Sequence, residues 1–193
     1  MIAAIVTSID KRWPFPASRA LDSVLAQERK PDFTLMTRAL PGENCGAQKN
    51  RAMRALPPEV EWVAFLDDDD YWFPQHLAKL EACALETGAD MVYPWFEFDR
   101  PSGRGHEINY MMYQPFNAEE MYKNNYIPVT VLIKRSVVDA AGGFPDPNPP
   151  VYDDWALWLR LIKQDAKIVH LPEKTWMWTT RHSVYIHQEF KDA

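Results

Sequence analysis

Residues 62–66, Trp-Val-Ala-Phe-Leu, run without a break into Asp67, Asp68, Asp69 and Asp70. Five apolar residues bounded by charge read as a short strand buried on both faces, the kind that fills the middle of a parallel sheet. Four adjacent carboxylates repel one another, and nothing about the end of a strand requires them. A hard divalent cation would relieve the repulsion, because such ions take carboxylate oxygens. Open α/β sheets hold their ligands just beyond the carboxyl ends of the strands. The run therefore reads as a metal–nucleotide site, weighed against the plainer alternative of a solvated acidic turn.

The flanking chain agrees with an α/β layer. Residues 2–6 predict a strand. Ser18 can cap a helix over 18–28, with Ala20, Leu21, Val24 and Leu25 on one face, and residues 33–37 predict a second strand. Strand, helix and strand in that order form a right-handed crossover, the opening of a nucleotide-binding layer. After a turn at 44–46, a helix is expected over 48–56. Another follows the aspartates over 75–87, with Pro74 in its first turn, Leu77, Leu80 and Ala84 as its buried stripe and Gly88 as its stop. Further strands are expected over 91–98, 129–134, 166–171 and 175–179. A short helix over 118–124 begins at Asn117, which with Glu120 resembles a capping box. A helix over 152–164 shows the spacing Trp155, Trp158, Leu159, Ile162.

Bulk properties narrow the function classes. With 193 residues, 47% of them hydrophobic, the chain suits one domain with a sizeable core. A formal net charge of −6 argues against a general nucleic-acid binder. Cys45 and Cys83 are too few for a disulfide scaffold or a zinc site, and point to reduced thiols in a cytoplasmic protein. The apolar start reads as a first strand and not a signal peptide, and no run has the length to span a bilayer.

Five segments together resemble the inverting family-2 glycosyltransferases of the GT-A fold. They are Leu21-Asp22-Ser23-Val24-Leu25-Ala26-Gln27, Asn44-x-Gly46-x-x-Lys49-Asn50, Phe65-Leu66-Asp67-Asp68-Asp69-Asp70-x-Trp72-x-Pro74, Gly142-Gly143-Phe144, and Asp153-Asp154-Trp155-Ala156-Leu157-Trp158-Leu159-Arg160-Leu161. The resemblance covers nearly the whole chain. It implies a single GT-A domain over 1–193 with a mixed central sheet flanked by helices, residues 1–100 binding the nucleotide and 101–193 the acceptor. The implied reaction moves a sugar from a nucleotide-diphosphate sugar, a UDP-sugar by default, to a hydroxyl of a saccharide or protein.

The same resemblance assigns roles. Asp69 is implied as the ligand of Mn²⁺ or Mg²⁺, with Asp67 facing the ribose or a metal-bound water, Asp68 beside the nucleotide, and the late His182 completing the metal shell. Thr7, Ser8 and Asp10 at the first strand's end are implied to line the base and ribose pocket, and Lys49 and Asn50 to contact nucleotide or phosphate. Asp154 aligns with the catalytic base, which a helix N-terminus would tend to keep ionised. Asp153 stands where the family usually has Glu and is the second candidate. Capping alone also accounts for an Asp pair at a helix start. The chain departs from the family at Met36-Thr37-Arg38-Ala39-Leu40, where an Asp usually contacts the base, and Arg38 is a substitute candidate. Two alternatives stand beside this reading. One is a carbohydrate-binding or assembly protein with the same fold but no turnover. The other is a nucleotidyltransferase, which would carry a Gly-rich phosphate loop that 7–11 lacks.

Overall fold

Strands that are apolar on both sides belong in the middle of a sheet, and the two most apolar strands lie there. A computed structural model describes residues 1–9, 15–98, 114–145 and 152–179. Its elements are β1 (Ile2–Ser8), α1 (Phe15–Leu25), β2 (Phe33–Arg38), α2 (Cys45–Arg54), β3 (Trp62–Asp67), β4 (Tyr71–Trp72), α3 (His76–Thr87), β5 (Met91–Phe98), α4 (Ala118–Met121), β6 (Leu132–Lys134), α5 (Arg135–Ala140), α6 (Asp153–Lys163) and β7 (Ile168–Trp178). Among the described residues these strands form one seven-stranded sheet, in the order β2-β1-β3-β6-β5-β7-β4. The pairs β1–β2, β1–β3 and β5–β7 are parallel, whereas β6 and β4 pair antiparallel with their neighbours. The mixed GT-A-like sheet expected from the sequence is the one observed.

Alternation along the strands divides the core in two. Ala3, Ile5, Val63, Phe65 and Tyr93 face α2 and α6, against Met53, Leu157, Trp158 and Leu161. Ile2, Ala4, Val6, Ala64 and Leu66 face α1 and α3, against Ala20, Val24, Leu77, Leu80 and Ala84. The strands β6 and β7 interleave with those of the first hundred residues, so the residues before and after position 100 share one framework.

Several boundaries differ from expectation for physical reasons. Helix α1 begins at Phe15, because Pro16 is tolerated in a first turn, and Leu25 is 53% exposed where it was expected to be buried. Helix α2 begins at Cys45, because Asn44 Oδ1 accepts from the Ala47 N–H at 2.7 Å and acts as the N-cap. On α6 the buried face is Leu157, Trp158 and Leu161; Leu159 is only half-buried. The two closing strands are one, β7. Its register with β5 slips from Pro94↔Leu171 to Trp95↔Lys174, where Pro94 and Pro172 cannot donate to the ladder.

Candidate active site

The parallel register brings the ends of β1 and β3 together, with Thr7 opposite Asp67. The Thr7 hydroxyl donates to Asp67 Oδ1 at 2.9 Å. The next hydroxyl, on Ser8, donates to Asp68 Oδ2 at 2.6 Å, and the Asp68 N–H donates to the Thr7 carbonyl at 3.0 Å. Thr7, Ser8 and Asp68 are all buried. Asp70 Oδ1 accepts from the Thr179 N–H at 2.8 Å. Arg19 Nη2 donates to the Asp69 carbonyl at 2.9 Å and to the Thr179 hydroxyl at 2.8 Å, with its guanidinium 4.6 Å from the centre of the Tyr71 ring. The carboxylates of Asp67, Asp68 and Asp70 are thus drawn to different neighbours, which separates their charges.

Helix α1 braces this acidic turn from behind. Ser23 Oγ accepts from the Trp72 N–H at 3.1 Å. Gln27 Nε2 donates to the Phe73 carbonyl at 2.8 Å, and Gln27 Oε1 accepts from the Leu77 N–H at 3.0 Å. The Ser-Val-x-x-Gln segment therefore fixes the chain leaving the aspartates.

On the other face, α2 meets the start of α6. A Cβ on Gly46 would lie 2.7 Å from the Pro145 carbonyl and 3.3 Å from Asp153 Cβ, so only glycine permits the approach. It places Lys49 Nζ 2.8 Å from Asp153 Oδ2, with the side chains 3% and 22% exposed. Burial pushes the Lys49 ammonium down, but the charges of Asp153 and Asp67 outweigh it, so its pKa is raised and it stays charged.

Asp154 lies one residue on, in a different environment. It lies on the face of α6 that carries the buried Leu157, Trp158 and Leu161, at the i, i+3, i+4, i+7 spacing of a helical stripe, and is itself half-buried. Burial and the charge of Asp153 push its carboxyl up to about 7, against the opposing pull of Lys49 and of the Trp155 N–H. The sequence suggested that the helix start would favour the ionised form; desolvation is the larger effect and raises the group above the usual carboxylate range. Both hydrogen bonds it accepts fall on Oδ1, from the Trp155 N–H at 2.6 Å and Asn125 Nδ2 at 3.3 Å. Among the described residues Oδ2 accepts none.

The remaining candidates sort by position. Asn50, expected at the nucleotide, instead clamps the Gly143-Phe144 turn. Its Nδ2 donates to the Phe144 carbonyl at 2.8 Å, and its Oδ1 accepts from the Phe144 N–H at 2.9 Å. Gly143 has φ +77°, and a Cβ there would fall 2.6 Å from Asn50 Oδ1. Lys49, also expected at a phosphate, is ion-paired with Asp153. Arg38 stands exposed at the end of edge strand β2, opposite Ser8 in register. Asp10 and His182 lie outside the described residues. Trp176 is 1% exposed and packs with Phe96 and Trp178 in the core. Sequence reasoning missed Gln48, which is buried and whose Nε2 donates to the Ser8 carbonyl at 3.0 Å and the Thr37 carbonyl at 2.9 Å, pinning the ends of β1 and β2.

Among the described residues no three His, Cys, Asp or Glu side chains group as a ready metal cage. Mg²⁺ and its relatives usually take only one or two carboxylates and complete their shell with substrate phosphates and water, and an acidic turn suits that mode. Among the described residues no helix is long and apolar enough to cross a membrane.

Comparison with known proteins places these features in context. Residues 25–140 match the family described as Glycosyl transferase family 2. Over 88 residues the chain is 36% identical to succinoglycan biosynthesis protein ExoW of Rhizobium meliloti (strain 1021), an alignment covering 46% of this chain and 27% of that protein. The fold matches S. aureus TarS 1-349 in complex with UDP-GlcNAc with a TM-score of 0.72 at 15% identity, covering 97% of this chain and 61% of that one. It matches the same TarS region in complex with UDP with a TM-score of 0.67 at 15% identity, covering 92% and 60%. The chain thus spans about a quarter of the ExoW length and three fifths of the TarS chains.

Proposed function

This chain belongs to glycosyl transferase family 2, and we propose that it transfers a sugar from a nucleotide-diphosphate sugar to a hydroxyl acceptor, with inversion at the anomeric carbon. The observation that carries the reading is the convergence of two acidic groups at one end of the sheet. The acidic turn after β3 lies near the start of α6, and the charge of Asp67 is felt by both Lys49 and Asp154. A donor site and a base are needed within one substrate's length, and this arrangement supplies both. The UDP ligands of the similarly folded TarS structures support uridine diphosphate as the donor's nucleotide.

In the proposed reaction Thr7 and Ser8 hold Asp67 and Asp68 in fixed orientations at the donor's nucleotide. Asp69, with Asp67, would hold Mn²⁺ or Mg²⁺, which when bound supplies charge neutralisation for the departing diphosphate. Asp154 Oδ2 accepts the proton of the acceptor hydroxyl as that oxygen bonds to the anomeric carbon. The bond from that carbon to the diphosphate oxygen breaks on the opposite face, which inverts the centre. Asp153, held by Lys49, keeps the start of α6 in place beside it. The acceptor is drawn from saccharide or protein hydroxyls and is bound by residues of the second half.

The test is a thermal-shift series with UDP and UDP-sugars, with and without Mn²⁺, followed by transfer assays with the stabilising donor. A ligand bound only by the folded state raises the melting temperature. Metal-dependent stabilisation by one nucleotide, lost in Asp69→Ala, is the expected result. A folded protein that no nucleotide diphosphate stabilises would overturn the reading.

A further inference from the structure

We propose that Asn125 is a positioning residue for Asp154, its side-chain amide donating through Nδ2 to Oδ1 and so holding the carboxyl with Oδ2 turned toward the acceptor hydroxyl. The proposal rests on the assignment of Asp154 as the base.

The segment carrying Asn125 is held rigidly against α6. The Trp155 indole N–H donates to the Met121 carbonyl at 2.7 Å, and the Trp158 indole N–H donates to the Ile127 carbonyl at 2.9 Å. Tyr126, 1% exposed, locks the middle, its hydroxyl accepting from the Asn117 N–H at 2.8 Å and donating to the Asn117 carbonyl at 3.0 Å. Two indoles of the base's own helix therefore bracket Asn125 and set it beside Asp154, with Nδ2 3.3 Å from Oδ1.

The other end of the amide is the informative one. Asn125 Oδ1 is buried and accepts no hydrogen bond among the described residues. An orphaned buried acceptor is costly and is uncommon in folded proteins. That cost accompanies the orientation that aims the donor, Nδ2, at Asp154; a half-turn about the Cβ–Cγ bond would aim the amide oxygen at the carboxylate instead. The amide thus stays on Oδ1, and a proton taken at Oδ2 leaves this bond in place.

The charged groups around Asp154 do not supply this function. The charges of Lys49 of α2, Asp67 of β3 and Asp153 of its own helix act on it, and Lys49 is itself paired with Asp153. Beyond them, Glu119 of α4 is exposed, Glu120 of α4 pairs with Lys123 at 2.8 Å, and Arg135 pairs with Asp139 on α5 at 3.5 Å.

The experiment follows the Asp154 carboxyl by carbon-13 NMR across a pH titration, in wild-type protein and in Asn125→Leu, which keeps the shape and removes both hydrogen-bonding functions. The ionised form loses a charge-assisted donor, so the midpoint rises by about one pH unit. The melting temperature is expected to hold or rise, because an orphaned oxygen is removed. An unchanged midpoint overturns the proposal. A residue that merely supported the fold would lower the melting temperature and leave the midpoint in place. If the leucine variant does not fold, Asn125→Asp answers the same question: a second carboxylate raises the midpoint further, and an unmoved midpoint is fatal. The titration needs neither donor nor acceptor. Absence of sugar transfer in wild type would therefore count against the glycosyltransferase reading without touching this result.

Discussion

The acidic turn after β3 and the Asp pair opening α6 are built from the same residue type and resolved in opposite ways. In the turn, Asp67 and Asp68 each receive a hydroxyl from β1, and Asp70 receives a backbone N–H from the end of β7. At α6, Lys49 goes to Asp153, while Asp154 sits half-buried on the apolar stripe with two N–H donors and is raised to about 7. The first arrangement suits a place where negative charge must be held. The second suits a group that has to accept a proton near neutral pH.

The largest expected effect that sharpens this contrast is Asp154→Asn. It should lower kcat by roughly 10²–10⁴-fold, the usual worth of a general base. The same change should raise the melting temperature at pH 8 by about 2–4 °C, the shift expected for each kcal/mol in a chain of this size. The sign follows from the raised pKa. Unfolded, the carboxyl releases its proton near 3.8; folded, it keeps it to about 7. Its burial as an acid favours the folded state below that window, and the benefit is lost as pH rises through it. The gain from asparagine should therefore shrink at pH 5, and equal gains at both pH values would contradict the assignment. Asp69→Ala comes next, with an expected loss of roughly 10²–10³ in kcat/KM, read together with the vanished Mn²⁺-dependent thermal shift.

Lys49→Met breaks the second region structurally. It leaves Asp153 facing Asp154 without a counter-charge and should cost about 3 kcal/mol in urea unfolding. It should also move the acid limb of kcat/KM upward, because the pull of Lys49 on Asp154 is gone. In wild type that limb should fall near pH 7, activity rising with pH as Asp154 ionises. The smallest effect is Ser8→Ala, about 1–2 kcal/mol in stability from one lost hydroxyl donor to a carboxylate. If Ser8→Ala proved more damaging to stability than Lys49→Met, the ranking of the two regions would be reversed.

Much of this was legible in the chain. The 62–66 run placed an interior strand, because a two-faced apolar strand has only one home, and its aspartates pointed to the candidate site. The buried stripe of α3 was read correctly, since Leu77, Leu80 and Ala84 have no competing periodicity. On α6, by contrast, the spacing Trp155, Trp158, Leu159, Ile162 concealed the true face of Leu157, Trp158 and Leu161. Read on that face, Asp154 falls in register with buried residues, and its raised pKa follows. Big aromatic residues drew the assignment, although Trp155 is only partly buried. The contacts of Ser23, Gln27, Gln48 and Asn50 could not be read, because each bonds backbone from a distant segment whose place only the fold determines.

The bond from Thr179 N–H to Asp70 spans 109 positions of sequence, and among the described residues β4 pairs only with β7. On the ribosome, a chain synthesised through the aspartates, or even through the whole of β5, therefore lacks the strand that flanks them. The acidic turn acquires its last ligand and its edge partner only when residues 168–179 emerge. Pairing at such separation is slow to form. During synthesis the nascent chain carries all four aspartates long before it has a shape able to hold a donor.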